Sequence, residues 1–360
     1  MHCLKCFVKI LCLVVVLDVF IVGCSSINEK TTDKSSVGED KIVIGFSMDT
    51  LVHERWLSDR DIFVARANEL GAEVIVQTAN SDSVEQEKQV EYLLDQNIDI
   101  LVLVPNDAAK AANLVKAAKN RGVRVISYDR LVKNANVDLY ISFDNILVGE
   151  LMGKAILKSA PKGNYLVING SPSDNNSYMF NEGYKKTLSS EIENSSIKLV
   201  GETWVKGWLY EDAFKYVEDT INSGTQVDAI IGANDTLASA AIDVLAEKRL
   251  TSRVKVIGQD ADLDACQRVV EGTQIATVYK PIDKIARTAA EYAITMAKGG
   301  LVQTNDSIND GKYDVPYFKI APELVTKDNM VDVIINDRFH RLEDVYINIP
   351  KSQWPKTKQQ

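Results

Sequence analysis

At 360 residues with 46% hydrophobic positions, the chain can build two domains with cores of their own, which excludes intrinsic disorder as its native state. A net charge of -9 excludes a nucleic-acid partner, because phosphate contacts need clustered Lys and Arg and no basic stripe offsets the deficit. Five cysteines and three histidines exclude more: Cys3, Cys6, Cys12 and Cys24 sit at the extreme N-terminus, so the body keeps only Cys266. One thiol makes no disulfide framework, and with only His2, His53 and His340 available no metal site is expected. No cofactor is expected either, and Cys266 reads as a small apolar core residue.

Residues 1–24 read as an export signal, in which Lys5 and Lys9 precede an apolar run over 10–22 that meets Gly23 and Cys24. A membrane-spanning helix is the competing reading, but a span needs roughly 20 apolar residues and Asp18 interrupts this one. Ile21-Val22-Gly23-Cys24 resembles a bacterial lipoprotein cleavage box, which implies that Cys24 is lipidated and anchors an extracytoplasmic protein to the membrane. Residues 25–40, rich in Ser, Thr, Lys, Glu and Asp, are expected to form a flexible tether.

From residue 41 onward, apolar runs of strand length alternate with amphipathic stretches of helical length, the pattern of a parallel sheet with helices on both faces. Strands are predicted over 42–48, 74–78, 100–104, 123–128 and 139–143, with helices over 55–70, 85–95 and 108–121 between them. Gly71 and Gly122 punctuate helix ends. After Asp144 the alternation restarts, with helices over 147–159, 212–222, 236–247, 263–270 and 282–298 and strands over 165–168, 198–203, 229–232, 254–257 and 277–280. Two such series imply an α/β chain of two similar, doubly wound parallel-sheet lobes. Residues 301–312 read as a polar surface loop, the stretch from 315 as short mixed pieces, and 350–360 as a frayed end.

Several of the strand-like runs stop on acids, at Asp49, Asp107, Asp235 and Asp260, and the run over 123–128 stops on Asp129-Arg130. Ligands gather at the carboxyl ends of strands in open parallel sheets, so these groups are expected to converge on one cleft. The plainer alternatives are a surface ion pair for Asp129-Arg130 and a helix N-cap for Asp235. Asp260, Asp262, Asp264 and Glu271 imitate the spacing of a calcium loop, but Ala265 stands where its sharp turn requires Gly, so calcium is not expected. Asn169-Gly170-Ser171 lacks a nucleophile-elbow pattern, and no Gly-rich phosphate loop occurs. Asp129 and Asp260, facing each other, would leave a glycosidase as the enzyme alternative.

Glu54-Arg55-Trp56, Ser127-Tyr128-Asp129-Arg130, Asn234-Asp235 and the stretches 140–145, 170–176, 204–208, 258–262 and 277–281 together resemble bacterial periplasmic sugar-binding proteins of the ribose/xylose type. The resemblance runs from about residue 41 to residue 340. It implies a periplasmic binding protein type I fold, whose two lobes are joined by three crossing strands and close on a ligand trapped between them. Carried over, the lobes are 41–143 with 281–315 and 144–280 with 316–349, with crossings near 142–144, Lys280-Pro281 and Val315-Pro316.

The ligand implied is a free pentose, D-xylose foremost. A sugar is neutral, crowded with hydroxyls and apolar on its ring faces, so its pocket mixes fixed hydrogen-bonding groups with flat aromatic surfaces. The resemblance assigns Arg55, Trp56, Asp129 and Arg130 to the first lobe's side of the sugar. It assigns Asp174, Asn176, Trp208, Asn234 and Asp260 to the second lobe, with Lys280 at the second crossing and Trp56 and Trp208 sandwiching the ring. Asn175 remains open beside Asn176, and Trp204 beside Trp208. The partner implied is the membrane permease of an ABC importer, with the external domain of a sensor kinase as the alternative. No catalysis is expected, and the glycosidase reading is the weaker one.

Overall fold

Val, Ile and Leu fill the strand runs without the polar alternation of a half-wet sheet, which requires that both sheet faces be covered. The computed structural model describes residues 41–356, so the export signal, Cys24 and the tether lie outside the described residues, as does 357–360. The first lobe begins with β1 (Val43–Met48), α1 (Glu54–Glu69), β2 (Glu73–Thr78), α2 (Ser83–Asp95), β3 (Ile100–Leu103), α3 (Ala112–Asn120), β4 (Arg124–Tyr128) and β5 (Leu139–Phe143). These five strands lie parallel in the order β5-β4-β3-β1-β2. All four side chains of central β3 are fully buried. One face of the sheet packs on Phe63 and Ala67 of α1, the other on Val90 and Leu93 of α2 and Val115 of α3.

The chain then crosses at Asp144 into the second lobe: α4 (Asn145–Ser159), β6 (Gly163–Asn169), α5 (Asn175–Glu193), β7 (Ile197–Trp204), α6 (Tyr210–Asn222), β8 (Ala229–Gly232), α7 (Asp235–Glu247), β9 (Lys255–Ile257), α8 (Leu263–Glu271) and β10 (Thr277–Tyr279). Its parallel sheet runs β7-β6-β8-β9, and a bridge between Ile257 and Ala276 ties on the strand that becomes β10. After Lys280-Pro281 the chain returns to the first lobe, where α9 (Ile282–Ala297) places Ile285, Ala289 and Ala293 in the core it shares with α1. An antiparallel pair, β11 (Asp306–Asn309) and β12 (Asp314–Ile320), extends the first sheet beside β5. Finally β13 (Glu323–Val325) pairs antiparallel with β10, and α10 (Leu342–Val345) packs near α8.

Four features differ from the sequence-based expectation. The third crossing, expected near Val315-Pro316, falls after Ile320, because β12 stays paired with β5 as far as Ile320 opposite Phe143. Stacking of Tyr317 on Tyr140, with centroids 4.5 Å apart, pins that pairing. Residues 301–312 are not wholly loop, since the polar segment Asp-Ser-Ile-Asn forms the exposed edge strand β11. The long helix α5 has no counterpart among the predicted elements. The end expected to fray from Pro350 is packed as far as Trp354, whose indole N–H donates to the Ile349 carbonyl at 2.7 Å.

Candidate functional site

The strands of both sheets deliver their carboxyl ends to one cleft, and the lobes touch across it. The Ala108 N–H donates to the Ser173 carbonyl at 2.9 Å. The Ser173 hydroxyl donates to the Asn106 carbonyl at 3.2 Å. Behind these contacts lies a pocket. All ten expected residues line it: Arg55, Trp56, Asp129, Arg130, Asp174, Asn176, Trp208, Asn234, Asp260 and Lys280. None of the ten exposes more than 8% of its surface, so the charged groups among them must neutralise one another.

They do so in a continuous network. Arg55, in the first turn of α1, donates from Nη2 to Asp129 Oδ1 at 2.8 Å and from Nε to Asp59 Oδ2 at 3.2 Å. Its Nη1 also lies 3.6 Å from Asp260 Oδ1 on the opposite lobe. Arg130 donates from Nη1 to Asp49 Oδ2 at 2.6 Å, and its Nε lies 2.8 Å from Asp174 Oδ2 of the second lobe. Lys280 Nζ sits 2.7 Å from Asp260 Oδ1. Burial disfavours the Arg55 charge, but Asp129, Asp59 and Asp260 outweigh it and hold its pKa well above the ordinary arginine value. Burial likewise opposes ionisation of Asp129, and Arg55, Lys280 and Arg130 outweigh it, so its pKa is lowered. At Asp174 burial wins over Arg130 and the pKa is raised.

Backbone geometry aims these groups. Asp129, Trp208 and Asp260 hold φ of 61°, 59° and 109°, left-handed values that cost non-glycine residues roughly 1–3 kcal/mol each and persist where the surroundings over-determine them. Asp174 is the N-cap of α5, accepting from the Asn176 N–H at 2.9 Å, and Asn234 is the N-cap of α7, accepting from the Leu237 N–H at 3.0 Å. Trp208 lies directly over Gly170, where a Cβ would come within 2.0 Å of the indole. Trp56 lies under both guanidiniums, with Arg55 Cζ 4.4 Å and Arg130 Cζ 5.3 Å from its ring centre.

The alternatives left open by the sequence are placed as follows. Asn176 lines the cavity and Asn175 does not. Trp208 lines it, while Trp204 stacks outside on Tyr178 with centroids 4.5 Å apart. Asp129-Arg130 is a buried part of the cleft and not a surface pair. Asp235 is neither cap nor lining: it is buried behind the site, accepting from Thr277 Oγ1 at 2.7 Å and Gln274 Nε2 at 2.8 Å. Asp107 caps a turn, accepting from the Ala109 and Lys110 N–H groups at 3.0 Å, and stands at the cleft mouth.

Three further residues line the cavity without having been expected there: His53, Phe180 and Gln259. His53 adjoins Glu54-Arg55-Trp56, Gln259 precedes Asp260, and Phe180 lies one helical turn after Asn176, so adjacency to the motifs is the available signal. Burial, joined by Arg130, lowers the His53 pKa and favours a neutral ring. Gln259 donates to Asp260 Oδ2 at 3.1 Å. Three lining atoms, Trp208 Nε1, Gln259 Oε1 and Asp260 Oδ1, are buried without a hydrogen-bond partner among the described residues, the last held by its ion pairs with Lys280 and Arg55. The lining thus offers a donor, an acceptor, aromatic faces and three cations balanced by three carboxylates, a surface suited to an uncharged polyhydroxylated molecule.

Comparison with known proteins shows the chain's relatives. Residues 44–301 match the family model described as periplasmic binding protein domain. The chain is 42% identical over 317 residues to the D-xylose-binding periplasmic protein of Haemophilus influenzae, covering 88% of this chain and 96% of that protein. It is also 42% identical over 302 residues to the D-xylose-binding periplasmic protein of Escherichia coli, covering 84% and 92%. Among solved structures, the carbohydrate transporter solute-binding protein of Chloroflexus aurantiacus in complex with D-glucose superposes with a TM-score of 0.79 at 26% identity, covering 84% of this chain and 98% of that one.

Proposed function

This chain belongs to the periplasmic binding protein family and has its type I fold, and from that premise we propose that it captures a free pentose, D-xylose foremost, between its two lobes. Members of this family bind and release; they are not enzymes, which sets the glycosidase alternative aside. The observation that carries the reading is the pairing of the lining: its three cations and three carboxylates are engaged with one another and with buried Asp49 and Asp59, so the pocket offers abundant polar capacity and no unpaired cation to attract an anion. A hydroxyl both donates and accepts, so a sugar satisfies Gln259 Oε1 and Trp208 Nε1 together. Supporting the pentose is the identity to two D-xylose-binding proteins over most of the chain.

In this reading Arg55, Asp129, Arg130, Asp174, Asn176, Asn234, Asp260 and Lys280 hydrogen-bond the sugar, and Trp56 and Trp208 cover its ring faces. The closed form is then the signal, because ligand stabilises one relative placement of the lobes and a membrane partner reads it. The partner proposed is the permease of an ABC importer. Cys24 lipidation would hold the protein at the outer face of the membrane. Loss of lipid label in Cys24→Ala checks the anchor, and recovery of a sensor kinase in place of a permease from membranes would overturn the importer.

The ligand is tested by the thermal midpoint of the purified protein with D-xylose, D-ribose, D-glucose and L-arabinose. A sugar at a hundred times its dissociation constant adds about 2.7 kcal/mol of stability. A shift with D-xylose is expected. A shift with D-glucose but not D-xylose would reject the pentose, and silence with all four would reject the class.

A further inference from the structure

We propose that Asn145, at the first crossing and outside the ligand cavity, is a positioning residue that fixes which end of the Asn176 amide faces Asp129 and thereby holds the Asp129 carboxylate in place for the sugar. The proposal rests on the sugar-binding reading only for its effect on affinity. Its structural content stands on the directions of a short hydrogen-bond chain.

That chain starts at a group with no choice. The backbone carbonyl of Asp129 can only accept, and it receives the Tyr140 hydroxyl at 3.1 Å and the Ser142 hydroxyl at 2.5 Å. The Ser142 proton is thereby committed, while the Tyr140 hydroxyl has a longer alternative in Asn176 Oδ1 at 3.4 Å, a contact that also makes Asn176 Oδ1 an acceptor. Asn145 Nδ2 approaches both oxygens, Ser142 Oγ at 3.3 Å and Tyr140 Oη at 3.5 Å, and donates to Asn176 Oδ1 at 3.0 Å. Its own Oδ1 has no partner among the described residues, so the donor end alone sets its orientation. With Asn176 Oδ1 occupied, the Asn176 NH2 must point the other way. It donates to the Asp129 carbonyl at 3.1 Å and to the Asp129 carboxylate at 3.2 Å.

An amide turned by 180° would set its oxygen against that carboxylate and that carbonyl, three acceptors without a proton between them. Asn145 therefore selects the donor face of Asn176, whose two protons go to the Asp129 carbonyl and carboxylate, and so it acts on the sugar through the placement of the Asp129 carboxylate. Asn145 and Asn176 begin α4 and α5, both in the second lobe, so their mutual bond survives lobe opening, while the bonds to Ser142, Tyr140 and Asp129 span the lobes. Asn145 is fully buried, which keeps water from replacing it.

Asn145→Asp tests this with a readout that a merely structural role would not move. A carboxylate there can only accept, repels Asn176 Oδ1 and favours the turned amide, so D-xylose affinity should fall by about tenfold or more near pH 8. Protonation of the introduced carboxylate restores a donor, so affinity should recover toward the wild-type value as pH falls to about 5, while wild-type affinity does not follow that profile. Asn145→Leu removes the donor without adding charge and should weaken binding with no such pH recovery. Wild-type affinity in either variant near pH 8, or loss in Asn145→Asp that low pH does not relieve, would overturn the proposal. If the wild type itself binds no pentose, the sugar reading fails, and the positioning role is judged by proton exchange at the Asn176 side-chain amide in sugar-free protein. Protection that Asn145→Leu abolishes would uphold the role, and rapid exchange in the wild type would end it.

Discussion

Arg130 contacts a carboxylate on each lobe, Asp49 at 2.6 Å and Asp174 at 2.8 Å, and all three side chains are buried. Breaking a buried ion pair from one side leaves uncompensated charge and typically costs about 3–5 kcal/mol. Arg130→Ala should therefore lower the unfolding free energy of the sugar-free protein by that order, besides weakening sugar binding, and denaturant titration checks the first effect. Arg130→Lys should recover only part, because one ammonium cannot reproduce the two divergent guanidinium contacts. Gly170 makes a second demand: the Trp208 ring occupies the place of any Cβ, so Gly170→Ala must displace the indole, and sugar affinity should drop by more than about tenfold, read by calorimetry. Asp235 gives a pH prediction. Burial raises its pKa to about 7, against the opposing hydrogen bond from Thr277, while the unfolded chain returns it to about 3.9. The folded state thus holds a proton that the unfolded state releases, and this group's contribution to stability falls as pH rises from about 4 to about 7, by at most ~1.4 kcal/mol per unit. Asp235→Asn cannot titrate, so across that window the stability difference should move in the variant's favour as pH rises, and a constant difference would contradict the assignment.

At the scale of elements, legibility depends on how strongly a segment declares its burial. β3 and β8 read clearly because both their faces are covered and their apolar runs are unbroken. α5 escapes the sequence reading although Phe180, Tyr184 and Leu188 recur every fourth residue, because its remaining positions are mostly polar and Gly183 interrupts it. That glycine belongs to the packing: a Cβ at Gly183 would meet the Ile146 carbonyl at 2.2 Å, and one at Gly149 would meet the Phe180 carbonyl at 2.2 Å. α4 and α5 thus approach backbone to backbone, and their first turns carry Asn145 and Asn176. Gly183→Ala should push the helices apart, lower stability by roughly 1–3 kcal/mol and weaken sugar binding, both visible in denaturant titration with and without sugar. β11 escapes for a different reason, since an exposed edge strand has no face to bury and its pairing with β12 comes from the partner, not from its own sequence.

At the scale of the whole molecule, chain topology builds the site from distant segments: the first turn of α1, the end of β4, the starts of α5 and α7, the end of β9 and the second crossing. Ten of the thirteen lining residues are legible because each follows a strand or opens a helix inside a stretch resembling known sugar binders. Their pairing is not, because which cation meets which carboxylate depends on how the lobes sit together. The third crossing is misread for a similar cause, the Tyr140–Tyr317 stack being a contact between residues far apart in the chain. A single pocket whose buried cations are all paired within the protein suits the uncharged ligand proposed above, bound one to a chain. Titration calorimetry of the purified protein with D-xylose, repeated with Asp129→Ala, tests this most directly. The account predicts saturable binding of one D-xylose per chain, lost in the variant; no heat with D-xylose, or unchanged binding in Asp129→Ala, would contradict it.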